Sequence, residues 1–382
     1  MSSQLFDGVF GTTAAVAATD DTAIVDALCE AETALARACT RAGVIELPVA
    51  LEIAAACDEV RRIDPGDLGR RSVSGGNPVI PLVAELRARL DGTDAARAVH
   101  LGATSQDILD TALMLVASRA VGVLLADLDE CGSAIARLAR EHRDTPMSAR
   151  TLLQQAVATS FGALAAVWGT GIDAVTSRLR TVRDALPVQL GGAAGTLAPL
   201  HPHGAEVRAA FADELDLADP QRVWHADRTP ITELAGALGS AAAAVGKVAG
   251  DVVLLAQSEV GEVREGAPGG SSSMAHKQNA IAAVTARAAA AQAPGLVATL
   301  LAAGSPELQR GAGAWHAEWP ALIALLRYTG GAASRLWVCL SGLSVEQDAM
   351  RSNLARLDGT VDIADLGHAT DLVDSYLERR TP

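Results

Sequence analysis

Apolar residues recur along this chain at the three- and four-residue spacing of helices, and almost nowhere at the two-residue spacing of strands. Ile24, Leu28, Ala31, Leu35 and Ala38 share one face of a helix that Thr22 can cap and Gly43 can end. A second helix is expected after Pro48, closed by a turn at Asp64-Pro65-Gly66. Residues 71–81 read as a Gly/Pro loop, and the helical pattern resumes to residue 90. Longer patterns follow at about 105–143, 154–186, 230–263, 278–302 and 318–343, with breaks at Thr145-Pro146 and in the Gly/Pro loop 191–204. This order predicts an all-α protein in three parts: a small helical domain over 1–100, a central bundle of long helices over 101–343, and a short helical domain over 344–382.

Composition sharpens that picture. Aromatics make up 3% of the 382 residues and alanine dominates the apolar set, which favours close helix-on-helix packing. A net charge of −14 argues against nucleic-acid and anionic-membrane partners, so an anionic substrate must be met by a local cationic cluster. The five cysteines are odd in number and form no CxxC pair, the pattern of reduced thiols in the cytoplasm. The start MSSQLFDGVFG has no basic or apolar segment of a secretory signal. The apolar run 241–256 is interrupted by Lys247 and Asp251, which predicts a soluble chain.

Three polar segments stand out. Residues 269–280 read Gly-Gly-Ser-Ser-Ser-Met-Ala-His-Lys-Gln-Asn-Ala. Their small residues let backbone N–H groups approach an anion, and Lys277 and Asn279 add a point charge and a donor. Lys277 is one of only two lysines in the chain, the other being Lys247. The second segment, His100-Leu-Gly-Ala-Thr-Ser-Gln-Asp107, and the third, Arg150-Thr-Leu-Leu-Gln-Gln155, lie beside helix starts that attract anions. Plain N-capping by Thr104 and Asp107, and a solvated first turn at Arg150 and Gln154, are the alternatives for these two.

Other patterns carry less. His201 and His203 lack further ligands nearby, so no metal is expected. Residues 266–271 lack the Gly-Lys-Ser/Thr ending of a phosphate-binding loop, and no strand pattern carries a Ser-His-Asp nucleophile. The segment Trp315-His316-Ala-Glu318-Trp319 reads as helix packing.

Residues 270–279 resemble the GSSxMPxKxN motif of the fumarase/aspartase superfamily, with Ser, Met, Lys and Asn at matching offsets. The GATSQD and RTxxQQ segments resemble its other two blocks in order and spacing, so the likeness runs from about residue 5 to 345. Within the superfamily the chain is similar to the 3-carboxy-cis,cis-muconate cycloisomerases. The supporting segments are 100–110, 153–156, Gln189-Leu-Gly-Gly-Ala-Ala-Gly-Thr196, Trp224-His225-Ala-Asp227-Arg228 and 313–319. Adenylosuccinate-lyase-like members carry a catalytic His where this chain has Leu152, and leucine cannot protonate a leaving group. Two departures from the motif are Ala275 and Ala280 in place of prolines, and the carboxy-terminal domain is shorter than the family's.

The resemblance implies a fumarase/aspartase-like fold and a homotetramer whose sites draw on several subunits. It implies cycloisomerisation of 3-carboxy-cis,cis-muconate to 4-carboxymuconolactone, a step of aromatic catabolism in the protocatechuate branch of the β-ketoadipate pathway, without cofactor or metal. Ser271 is then the expected proton carrier and Lys277 the catalytic cation. Thr104, Ser105, Arg150, Gln154, His225, Arg228, Ser272, Met274 and Asn279 are the expected contacts to the tricarboxylate substrate. The first turn of the helix after the motif is expected to add its dipole. A β-eliminating lyase of the adenylosuccinate or argininosuccinate type and a non-catalytic helical scaffold are the competing readings.

Overall fold

The computed structural model describes residues 8–10, 13–274, 276–357 and 365–380. Regular structure among these residues is helical apart from two antiparallel strand pairs. Helices Asp21–Arg41, Leu47–Val60, Pro65–Ser72 and Val79–Arg89 form the amino-terminal part, with Gly204–Leu215 packed alongside. Two starts differ from expectation. Asp20 caps the first helix through a bond from the Ala23 N–H at 2.8 Å. Asp64 accepts from the Gly66 and Asp67 N–H groups, so Asp64-Pro65-Gly66 opens a helix, with proline at its first position.

The bundle consists of Ser105–Glu141, Phe161–Asp184, Thr229–Leu255, the pair Ile281–Ala290 and Ala293–Ala303, and Ala314–Ser341. Pro294 sits in the first turn of the fourth segment's second half, which splits the single helix expected there. Ser105–Glu141 is the central element, burying Leu113, Val121, Leu128 and Ile135 along with alanines at 112, 117 and 139. Each fully buried leucine stabilises by about 1.5–3 kcal/mol, and the alanines let neighbouring backbones close in.

Contacts fix the directions. Arg228, just before Thr229–Leu255, and Trp315 and Glu318, at the start of Ala314–Ser341, meet around Asp110 near the start of Ser105–Glu141. At the other end, Asp251 bonds Trp168 near the start of Phe161–Asp184, and Gly342 packs on Gly266. A Cβ on Gly266 would lie 2.8 Å from the Gly342 carbonyl oxygen, so glycine is needed where these backbones touch. Three helices therefore run one way and two the other. The central helix has 37 residues, which places the two ends about 55 Å apart.

Residues 146–160 are not the start of a helix, as the pattern suggested, but a β-hairpin. Strand β1 (Pro146–Thr151) pairs with β2 (Gln154–Ser160), and Thr151 faces Gln154 across a two-residue turn. Leu152 and Leu153 occupy that turn at φ 51° and 64°, the left-handed region that a type I′ turn requires and Asn-Gly normally supplies. Strands β3 (Val263–Arg264) and β4 (Ser344–Val345) join the start of the motif loop to the carboxy-terminal segment. There, helix Gln347–Leu354 lies on β1, and Ala369–Arg380 is pinned to Phe161–Asp184 by an Arg380–Asp173 pair at 2.6 Å.

By length and composition three helical stretches could cross a membrane, including the one that Lys247 and Asp251 interrupt. The apolar window of Ser105–Glu141 is 78% buried within the chain, against 44% for Thr229–Leu255 and 33% for Ile281–Ala303. The latter two leave an apolar face uncovered.

Candidate active site

The structure sorts the expected residues into two groups at opposite ends of the bundle. Thr104, Ser105, His225 and Arg228 lie at the end where Ser105–Glu141 begins. Arg150, Gln154, Ser271, Ser272, Met274, Lys277 and Asn279 lie in the hairpin and motif loop at the other end. Within one chain they cannot meet across about 55 Å.

At the first end, Asp107 is the organiser. Its buried carboxylate accepts from the N–H groups of Thr104, Gly191 and Gly192 at 2.8–2.9 Å, and His225 Nε2 lies 2.6 Å away. The loop 191–197 is thereby tied to the helix start, where N–H groups are available to an anion. His225 is 4% exposed and held inside this framework. Arg228 is not a free clamp. Its guanidinium, 1% exposed, is filled by Asp110 at 2.8 and 3.0 Å and by Glu318 at 2.9 and 2.6 Å, and it stacks over Trp224. Burial works against its charge, but the carboxylates outweigh this and raise its pKa further. Trp315 and Glu318, read from sequence as packing, belong to this ion cluster through Asp110 and Arg228.

Two residues that sequence reasoning passed over also shape this end. His100 Nδ1 lies 2.6 Å from the buried carboxylate of Glu32. Burial disfavours the imidazolium there, but Glu32 prevails and holds His100 above the ordinary histidine range. Arg310 donates to the carbonyls of Gly192 and Ala193, fastening loop 305–313 to loop 191–197. Only spatial proximity reveals either, since no local spacing marks them.

At the second end, Arg150 is likewise engaged. It makes a bidentate pair with Glu262, which is fully buried, at 2.7 and 2.8 Å. As an anion clamp it would leave that carboxylate uncompensated, so its place is that of an anchor for the hairpin. The tip beyond it is open: Leu152 is 97% and Leu153 67% exposed, and Gln154 is exposed beside them.

The motif loop has an ordered base and an open crown. Gly269 and Asn279 exchange both backbone bonds at 2.9 Å, and the Asn279 amide donates to the Gly269 and Gly270 carbonyls. Asn279 thus closes the loop. Ser271 Oγ accepts from the N–H groups of Ser273 and Met274 at 3.3 and 3.2 Å. Two donors aimed at one hydroxyl oxygen form a cradle for its conjugate base. Ser272, Met274 and Lys277 are exposed, and the Lys277 ammonium pairs with no carboxylate among the described residues. Position 275, where the motif's proline is replaced by Ala275, lies outside them. The following helix begins at Ile281, not near 278, and its first N–H groups are taken by Glu265 at 3.2 and 2.7 Å. Its dipole is therefore directed at Glu265 and not at a substrate.

A model of the lyase family matches residues 12–295, and the chain belongs to that family. Among its relatives, it is 44% identical to a nitrosuccinate lyase of Streptomyces davaonensis, over 94% of this chain and 79% of that protein. It is 42% identical to a 3-carboxy-cis,cis-muconate cycloisomerase of Bradyrhizobium diazoefficiens, over 94% of this chain and 81% of that protein. The solved 3-carboxy-cis,cis-muconate lactonizing enzyme of Pseudomonas putida superposes with a TM-score of 0.90 at 30% identity, covering 98% of both chains. The architecture is the fumarase/aspartase-type helical fold, and the protein is an enzyme.

Proposed function

We propose that this enzyme cycloisomerises 3-carboxy-cis,cis-muconate to 4-carboxymuconolactone. The observation that carries the reading is the hairpin tip. Thr151, Leu152, Leu153, Gln154 and Gln155 offer no side chain that titrates near neutral pH, so the leaving group must depart as a weakly basic anion. In the lactone, that group is a carboxylate. A leaving amine, as in adenylosuccinate-type elimination, needs an acid that the tip does not carry.

Run toward lactone, one substrate carboxylate oxygen adds to the neighbouring alkene. The electron pair moves onto the adjacent carbon and its carboxylate, giving an enolate-like dianion. Lys277 and the N–H groups of 270–273 balance that charge, and Ser271 delivers the proton to carbon. Its alkoxide is then stabilised by the N–H groups of Ser273 and Met274 once the loop excludes water. Thr104, Ser105, Gln154 and Ser272 hold the remaining carboxylates, while His225, Asn279, Arg150 and Arg228 shape the walls that carry them. No cofactor or metal has a step in this sequence.

Because the two groups of residues are about 55 Å apart, the site is completed by neighbouring subunits of a homotetramer. The uncovered apolar faces of Thr229–Leu255 and Ile281–Ala303 support that association. Five buried free cysteines fit a cytoplasmic enzyme.

The identity to a nitrosuccinate lyase favours one second reading, loss of nitrite from a nitro acid. Nitrite is also a weakly basic oxyanion and asks nothing more of the tip. Purified protein, supplied in turn with 3-carboxy-cis,cis-muconate, nitrosuccinate and succinyl adducts, separates the readings. Rapid loss of the diene band with lactone formed is expected; turnover of nitrosuccinate alone would replace the cycloisomerase by the lyase.

A further inference from the structure

Helix Gln347–Leu354 is the one element of the short carboxy-terminal segment that reaches the catalytic half of the bundle. Asn353 on it is 4% exposed and carries no charge, yet its amide ties together three distant stretches of chain. Its Nδ2 donates to Glu262 Oε1 and to the Val260 carbonyl, both at 2.8 Å. Its own carbonyl accepts from the Gln155 side chain at 3.2 Å. Glu262 in turn holds Arg150 through both guanidinium nitrogens, and its backbone carbonyl accepts from Glu346 at 3.0 Å. Strand β3, which opens the motif loop, follows Glu262 directly and pairs with β4 beside the same helix.

These bonds close a ring. The hairpin enters through Arg150 and Gln155, on either side of Gln154, and the hinge of the motif loop enters through Val260, Glu262 and β3. Asn353 is where the two are joined. Glu262 is fully buried, so each donor it loses leaves acceptor capacity that water cannot satisfy. The Arg150 fork by itself leaves the carboxylate free to swing about its own side chain. The amide of Asn353, fixed at the same time to a backbone carbonyl, removes that freedom.

We infer that Asn353 is a positioning residue: it sets the register of the hairpin that presents Gln154 against the base of the loop that carries Ser271 and Lys277. The inference rests on the functional reading above for the roles of those three residues, whereas the mechanical coupling stands on the hydrogen bonds alone. It also gives the abbreviated carboxy-terminal segment a task. It braces the binding hairpin from behind and leaves the crown of the loop uncovered.

The test compares wild type with Asn353→Leu, which keeps the size and loses the donors, and with Asn353→Ala in case the first does not fold. KM and kcat are measured on the substrate that wild type turns over, and amide exchange is followed across 146–160 and 261–281. A positioning role raises KM about tenfold, the weight of one hydrogen bond to a buried charge, with kcat within about threefold of wild type. It also speeds exchange in the hairpin and loop base while Ser105–Glu141 stays protected. A merely structural role lowers the active fraction, so kcat falls in step with thermal stability at unchanged KM; that result overturns the inference. If wild type turns over no muconate, the functional reading fails by itself. Amide exchange then decides: faster exchange confined to hairpin and loop base upholds the coupling, and unchanged exchange refutes it.

Discussion

Replacing Arg228 by methionine removes the only cation from a cluster that holds two buried carboxylates. Asp110 and Glu318 have 0% and 1% of their side chains exposed, and Arg228 meets them through four N–H···O contacts of 2.6–3.0 Å. Breaking a buried pair by deleting one partner costs about 3–5 kcal/mol. Because one guanidinium serves two carboxylates here and also stacks on Trp224, the upper end of that range, about 5 kcal/mol, is expected for Arg228→Met. Urea denaturation at fixed protein concentration and pH 7 would read it directly. The pH dependence supplies an independent check. Burial raises the Glu318 pKa above the usual carboxylate value, and Arg228 opposes that rise. Without the arginine the folded-state value climbs further. A group whose folded pKa is raised contributes stability that is present below its unfolded pKa and is lost as pH rises through the folded one. The deficit of Arg228→Met should therefore be smallest near pH 4, grow as the pH rises through the folded value, and level off above it. A loss below about 1 kcal/mol at pH 7, or a deficit of the same size across that range, would refute the reasoning.

Other expectations follow from the same geometry. Glu265→Ala uncovers the first N–H groups of the helix at Ile281 and should cost about 1–2 kcal/mol by thermal denaturation; no loss would mean another group caps that end. His100 is held above its ordinary value of 6.5 by Glu32. Its contribution to stability is then complete below about pH 6.5 and disappears as pH rises through the folded value, so melting temperature should fall over that window in wild type but not in His100→Gln. Lys277→Met should lower kcat/KM through both terms, because the charge contacts substrate and the dianion alike; an unchanged kcat would confine lysine to binding.

Much of the bundle is legible in the sequence, because helix starts such as Ser105 and breaks such as Pro146 are written in local chemistry. The hairpin is not. Leu152 and Leu153 carry no turn signal, and Ala149, Ala156 and Ala158 read as helix formers. What bends the chain there is tertiary, namely the Arg150–Glu262 pair and the helix that carries Asn353. The same divide runs through the site. Ser271, Lys277 and Asn279 are legible because the motif loop is one contiguous stretch. Arg228 has the right type and neighbourhood for a substrate clamp, and only the folded chain reveals that Asp110 and Glu318 already fill it. Arg150 differs for the same reason. A buried carboxylate more than a hundred positions away cannot be read from local spacing.

The most direct test pairs wild type with Ser271→Ala on 3-carboxy-cis,cis-muconate, following the diene absorbance without added metal or cofactor. Wild type should bleach the band and yield lactone, and Ser271→Ala, with assembly and melting temperature intact, should be slower by about 10²–10⁴-fold. Activity of the variant within about tenfold of wild type would contradict serine as the proton carrier.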